Sequence, residues 1–130
     1  MHFEHPLTTD RIDFYNITQQ VSDDIAASGI TDGTATVYCP HTTAAITINE
    51  NADPDVPIDV LHGLDIACPD RPEFRHCEGN SAAHLKSSVV GPSETVIVKD
   101  GKPILGTWQS IYFCEFDPPR RRTYHVSVND

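Results

Sequence analysis

The segment that most restricts the fold is WQSIYFCEF, residues 108–116, where apolar side chains occupy both alternations of an extended chain. A strand with one wet face alternates apolar and polar residues, so a largely unbroken apolar run marks a central strand covered on both sides. The chain must therefore supply two layers around it. TYHVSV (123–128) alternates, with Tyr124, Val126 and Val128 inward and His125 on the polar side. TATVYC (34–39) places Ala35, Val37 and Cys39 opposite Thr34, Thr36 and Tyr38. After Pro40 and His41 the pattern resumes, with Ala44, Ile46 and Ile48 on one face and Thr43, Thr47 and Asn49 on the other. These two adjoining runs read as antiparallel neighbours. ETVIVK, the turn Asp100–Gly101 and KPILG read as a hairpin.

Helical spacing appears three times. Ile17, Val21 and Ile25 recur every four residues, with Asn16 or Thr18 as the cap and Gly29 as the stop. Asp53–Pro54 opens a second helix whose stripe is Val56, Val60, Leu61 and Leu64. Asn80 caps SAAHLKSSVV, which Gly91 and Pro92 end, and CPDRPEFRHCEG before it is a loop. Strands grouped in pairs with helices inserted between them give an α+β fold on an antiparallel sheet or sandwich, a single domain over residues 1–130.

Nineteen acidic side chains against nine basic ones leave a net charge of −10. Such a surface repels phosphate backbones, which argues against nucleic-acid binding. No apolar run approaches the roughly 18 residues of a membrane span, and the opening MHFEHPLTTD lacks the order of a secretory signal. The expectation is a cytoplasmic protein without membrane contact. Cys39, Cys68, Cys77 and Cys114 form no C-x-x-C pair and read as reduced thiols. No nucleophile elbow, P-loop or dinucleotide fingerprint occurs, which leaves metal-assisted or acid–base chemistry as the enzymatic options.

The polar residues fall in three places. Residues 41–59 hold His41, Asn49, Glu50, Asn51, Asp53, Asp55 and Asp59, an oxygen-rich set suited to a hard divalent cation or a metal–phosphate unit. Asp53 serves equally as a helix cap. His41, His76 and His84 stand apart from His2, His5, His62 and His125, and neutral imidazole is a common metal ligand. Glu78, Gly79 and Asn80 precede a helix start, where backbone N–H groups favour an anion. Trp108 reads more readily as core than as a platform for a ligand ring, and Gln109 and Glu115 share a strand face, so one of them may look into the site. Arg120, Arg121 and Arg122 form either a solvated strand entry or an anion clamp.

Taken together, HTTAAITINENADPDV (41–56), the H-C-E-G-N run (76–80), HLK (84–86), GPSETV (91–96) and LGTWQ through PRRR (105–122) resemble the YjbQ-type family, the secondary thiamine-phosphate synthases. The matches follow the family order over most of the chain. The resemblance implies a compact α+β homotrimer with a metal site near the subunit boundaries. It implies His41, His76 and His84 as ligands for zinc or a related metal, and Glu50, Asn51, Asp53 and Glu78 as their polar surroundings. The family activity joins an aminopyrimidine methyl diphosphate to a thiazole phosphate, with Mg²⁺ suited to the diphosphate, Trp108 suited to stack a ring, and Gln109 a further catalytic candidate. A non-enzymatic metal- or ligand-binding trimer and a metal-dependent hydrolase with Glu50 as base are the competing readings. One departure is Asp117–Pro118–Pro119–Arg120, where the family carries Asp-Gly-Pro-Arg.

Overall fold

A computed structural model describes residues 1–130. In chain order the elements are β1 (His2–Thr9), β2 (Asp13–Asn16), α1 (Thr18–Ser28), β3 (Gly33–Tyr38), β4 (Ala44–Glu50), α2 (Asp55–Ala67), α3 (Ser81–Val90), β5 (Ser93–Lys99), β6 (Lys102–Pro103), β7 (Gln109–Glu115) and β8 (Arg120–Asn129). They form two antiparallel sheets, β1-β8-β3-β5-β6 and β2-β7-β4, packed as a sandwich with the helices inserted between strands. The α+β expectation holds.

The central position of β7 follows from its composition. Ile111 and Phe113 point into the core between the sheets, where they meet Ala35, Val37, Val96, Val98, Tyr124, Val126 and Val128. Ile17, Val21 and Ile25 of α1 close that same core. The opposite alternation of β7, Tyr112 and Cys114, packs with Phe14, Ala45 and Ala83 beneath α2 and α3. Gly29 ends α1 with φ of 73°, and Asp100 and Gly101 carry the positive φ that the tight β5–β6 turn requires. The helix caps are less regular. Asn16 accepts the Thr18 N–H at 3.0 Å, while the residue at the Ncap position itself is Ile17.

Two expectations need correction. The adjoining runs 34–39 and 43–49 are not neighbours: β3 pairs with β5 and β8, whereas β4 pairs with β7 in the other sheet. Pro40, which has no N–H for a ladder, lies where the chain leaves one sheet for the other. Trp108 is not core; it precedes β7 and is 60% exposed.

α2 contributes no fully buried residue. Val60, Leu61 and Leu64 rest on the Phe14–Tyr112 cluster, but Ile58 and Ile66 face outward with 61% and 69% of their surface exposed. Lys86 of α3, itself buried, pairs with Asp65 of α2 and ties the two helices together. β1 is the outer strand of the larger sheet, with Pro6 in its middle and His2, Glu4, Pro6 and Thr8 on its exposed alternation.

Candidate functional site

The break at Pro40 positions the first site residue. β3 stops pairing with β8 at Tyr38 and His125, so Thr123 of β8, which has Pro6 of β1 on one side, has no strand beside it on the β3 side. The His41 ring takes that place. Its Nε2 lies 2.9 Å from the Thr123 nitrogen and 3.0 Å from the Thr123 carbonyl oxygen. That ring nitrogen is engaged with the backbone, which leaves Nδ1 for any ligand. Burial, followed by the nearby Arg122 guanidinium, pushes the imidazole below its ordinary value and keeps it neutral.

His76 comes from the loop before α3 and His84 from the first turns of that helix. Their rings meet edge to face, with centroids 5.3 Å apart. The loop does fold back across the eight-residue separation, as a shared site requires. Glu78 brings an oxygen to 3.9 Å from His76 Nε2. All three histidines line one polar cavity of about 520 Å³ with Glu78, Asn80 and Asp117 and with Arg120, Arg121 and Arg122.

Asn80 reveals a tension there. It occupies the Ncap position of α3, yet its side chain makes no capping bond. Its amide nitrogen donates to Asp117 at 2.9 Å instead, which fixes the orientation of the amide. The amide oxygen is left buried without a partner, the one such side-chain atom in the chain. An orphaned buried acceptor costs about 1–3 kcal/mol; Asn80 lines the cavity, but this oxygen lies covered behind its surface.

The three arginines differ. Arg122 is 6% exposed and grips Glu115, itself 0% exposed, through Nε at 2.8 Å and a terminal nitrogen at 2.5 Å. Thr9 donates to the same carboxylate at 2.6 Å, and Arg122 reaches Thr43 Oγ1 at 2.9 Å. Burial alone would raise the Glu115 pKa, but the Arg122 and Thr9 hydrogen bonds outweigh it and hold it below the ordinary value. Arg120 pairs with Asp117 at 2.9 Å. Burial likewise opposes ionisation of Asp117, and hydrogen bonds from Asn80 and Arg120 overcome it. Arg121 lines the cavity exposed and without an ion-pair partner, so it is the cation available to an incoming anion.

The oxygen-rich segment does not join this cluster within the chain. Glu50 closes β4 opposite Gln109, and Asn51 donates its N–H to the Trp108 carbonyl at 2.8 Å. Asn51 and Asp53 line a separate cavity with Arg11, Asp13 and His62. His41 lies before the start of β4 and Glu50 at its end, so the two sets stand about 20 Å apart or more at 3.3 Å per strand residue. Trp108 and Gln109 fall at the Glu50 end. Asp53 accepts the Asp55 N–H at 2.9 Å, the capping role. No three His, Cys, Asp or Glu side chains of the chain gather closely enough to hold a metal ion. The histidine pair supplies two convergent imidazoles, so a complete ligand set needs a rearranged His41 or a group from another copy.

Asp117 and Thr43 line the cavity without having been singled out by spacing, whereas Glu115 does not reach it and lies buried behind its wall against Arg122. Glu115 did carry a signal: a carboxylate inside an apolar run demands a buried partner.

The model of the family described as "UPF0047 protein YjbQ-like" matches residues 4–130. The chain belongs to this family. Its relatives include UPF0047 protein YugU of Bacillus subtilis, 57% identical over 122 residues that cover 93% of this chain and 92% of that one. UPF0047 protein MJ1081 of Methanocaldococcus jannaschii is 51% identical over 129 residues, 98% of this chain and 94% of that one. A crystal structure of the YjbQ/UPF0047 family from Clostridium acetobutylicum superposes with a TM-score of 0.94 at 51% identity, covering 98% of this chain and 99% of that one. A YbjQ-like protein from Sulfolobus solfataricus gives 0.93 at 30% identity, covering 98% and 95%. The family fold thus persists at 30% identity. No helix of this member is long and apolar enough to cross a membrane.

Proposed function

We propose that the His41–His76–His84 cavity binds a phosphorylated small molecule together with a divalent metal, zinc or a related ion, and that the chain is a transferase of the thiamine-phosphate synthase kind. The observation that carries this reading is the edge-to-face pair of His76 and His84 beside the unpaired Arg121. Imidazoles are metal ligands or acceptors, and the arginine donates hydrogen bonds to an anion, so the wall accommodates both charges of a metal–phosphate unit. A bound divalent ion, Mg²⁺ on a diphosphate included, would neutralise a leaving diphosphate. Arg121 orients the phosphate, while Arg120 and Arg122 are held by their carboxylates and shape the wall. Glu78 brings its carboxylate to 3.9 Å from His76 Nε2 and adds an oxygen to the histidine pair. The hydrolase reading with Glu50 as base is disfavoured within one chain by the length of β4.

The test uses full-length protein with the aminopyrimidine methyl diphosphate, the thiazole phosphate and Mg²⁺. Thiamine phosphate is expected, and His84→Ala should lower its rate by about 100-fold, the scale of losing an electrostatic or metal-positioning group. Equal rates in the two proteins would overturn the assignment of this cavity. A non-enzymatic binding protein would form no product in either.

The outward Ile58 and Ile66 of α2 and the exposed Trp108 support a homotrimer in which a neighbour brings its Glu50–Asp53 end toward the histidines. Sedimentation velocity should then report about three chains per particle. A monomer at micromolar concentration would remove the neighbour from the site.

A further inference from the structure

The polar cavity does not end at the histidine pair. A second cavity of about 440 Å³ adjoins it, and His76 and His84 line both. Its walls are of another kind. Phe74 and the exposed Arg75 come from the loop, and Ser81, Leu85 and Ser88 come from α3. With His84 these positions recur at three- and four-residue spacing, one stripe of the helix. Ala83, Lys86 and Ser87 form the buried stripe of the same helix, so Leu85 is not needed by the core. It stays 39% exposed on the cavity wall, which it shares with Phe74.

The two cavities share the imidazoles and therefore make one trough: Arg121 at one end, His76 and His84 between, and at the other end Phe74 and Leu85 with Arg75 at their margin. We infer that the ligand is an organic phosphate with a flat, apolar body of ring size, its phosphate at Arg121 and its ring lying past His76 and His84 against Phe74 and Leu85. This rests on the reading of the arginine end as a phosphate site and adds the part of the ligand that the phosphate carries. It also moves the ring platform from Trp108, at the far end of β7, to Phe74.

Titration calorimetry on the full-length protein tests it with two probes, inorganic phosphate and phenyl phosphate. Burying one face of a phenyl ring should make phenyl phosphate bind about tenfold more tightly, or better. The ratio of the two affinities should fall to within about threefold in Phe74→Ala and in Leu85→Ser. Phe74 is half-buried and Leu85 exposed, and neither belongs to the core clusters, so both variants should fold. The ratio is read within one protein and does not depend on the active fraction. Equal affinity of the wild type for both probes, or a preference that survives in both variants, overturns the ring subsite alone. Failure of inorganic phosphate to bind, or binding that Arg121→Ala leaves unchanged, overturns the phosphate end, and the inference falls with it.

Discussion

Arg122→Met should lower the unfolding free energy by about 3–5 kcal/mol, the scale of stranding one member of a buried ion pair. Glu115 has no exposed surface, and methionine cannot replace the two hydrogen bonds that Arg122 gives it. Denaturant titration should show the loss, and adding Glu115→Leu should recover most of it because no uncompensated charge then remains. An Arg122→Met protein as stable as wild type would mean that the pair contributes nothing. The same pair predicts an acid limb. Because the folded pKa of Glu115 lies below its ordinary 4.5, its contribution is complete above that value and is lost as pH falls through the lowered folded pKa. The thermal midpoint should drop in that range more steeply for wild type than for the Arg122→Met, Glu115→Leu double variant.

A second large effect is expected at Phe113. The ring is fully buried between the sheets, packs 6.2 Å from Tyr124, and lies edge-on to His41 at 6.5 Å. Phe113→Ala should cost about 3–5 kcal/mol, combining lost burial with an unfilled cavity. Because the ring also backs His41, the variant should lose phosphate affinity at temperatures well below its own melting point. A destabilised Phe113→Ala protein with wild-type phosphate binding would show that His41 is fixed by the Thr123 backbone alone.

How much of this was readable in the chain depends on how local the cause is. SAAHLKSSVV folds as α3 from Ser81 to Val90, and the stop at Gly91 was legible because it directly adjoins the segment. The double coverage of β7 was visible because a central strand carries its environment in every residue. The pairing of runs 34–39 and 43–49 was misread because alternation reports which face is buried and not which strand lies beside it. Pro40 marked a departure from the sheet, not a turn within it. The oxygen-rich segment was placed too near His41, although counting strand residues at 3.3 Å each would have separated them. The Glu115–Arg122 pair joins strands of two different sheets, and no spacing rule connects them. Asn80 looked like a cap because its position is one; only the hydrogen bond to Asp117 shows the amide turned elsewhere.

Pro6 on β1 has a bearing on how copies of this chain can meet. An outermost strand with free N–H and C=O groups is a template on which another molecule can continue the ladder, and proline removes a donor from that template. With Glu4 and two further ring side chains, His2 and His5, along the same eight residues, the margin discourages end-to-end growth into fibres. Contact between molecules is thereby steered away from strand addition and toward side-chain faces.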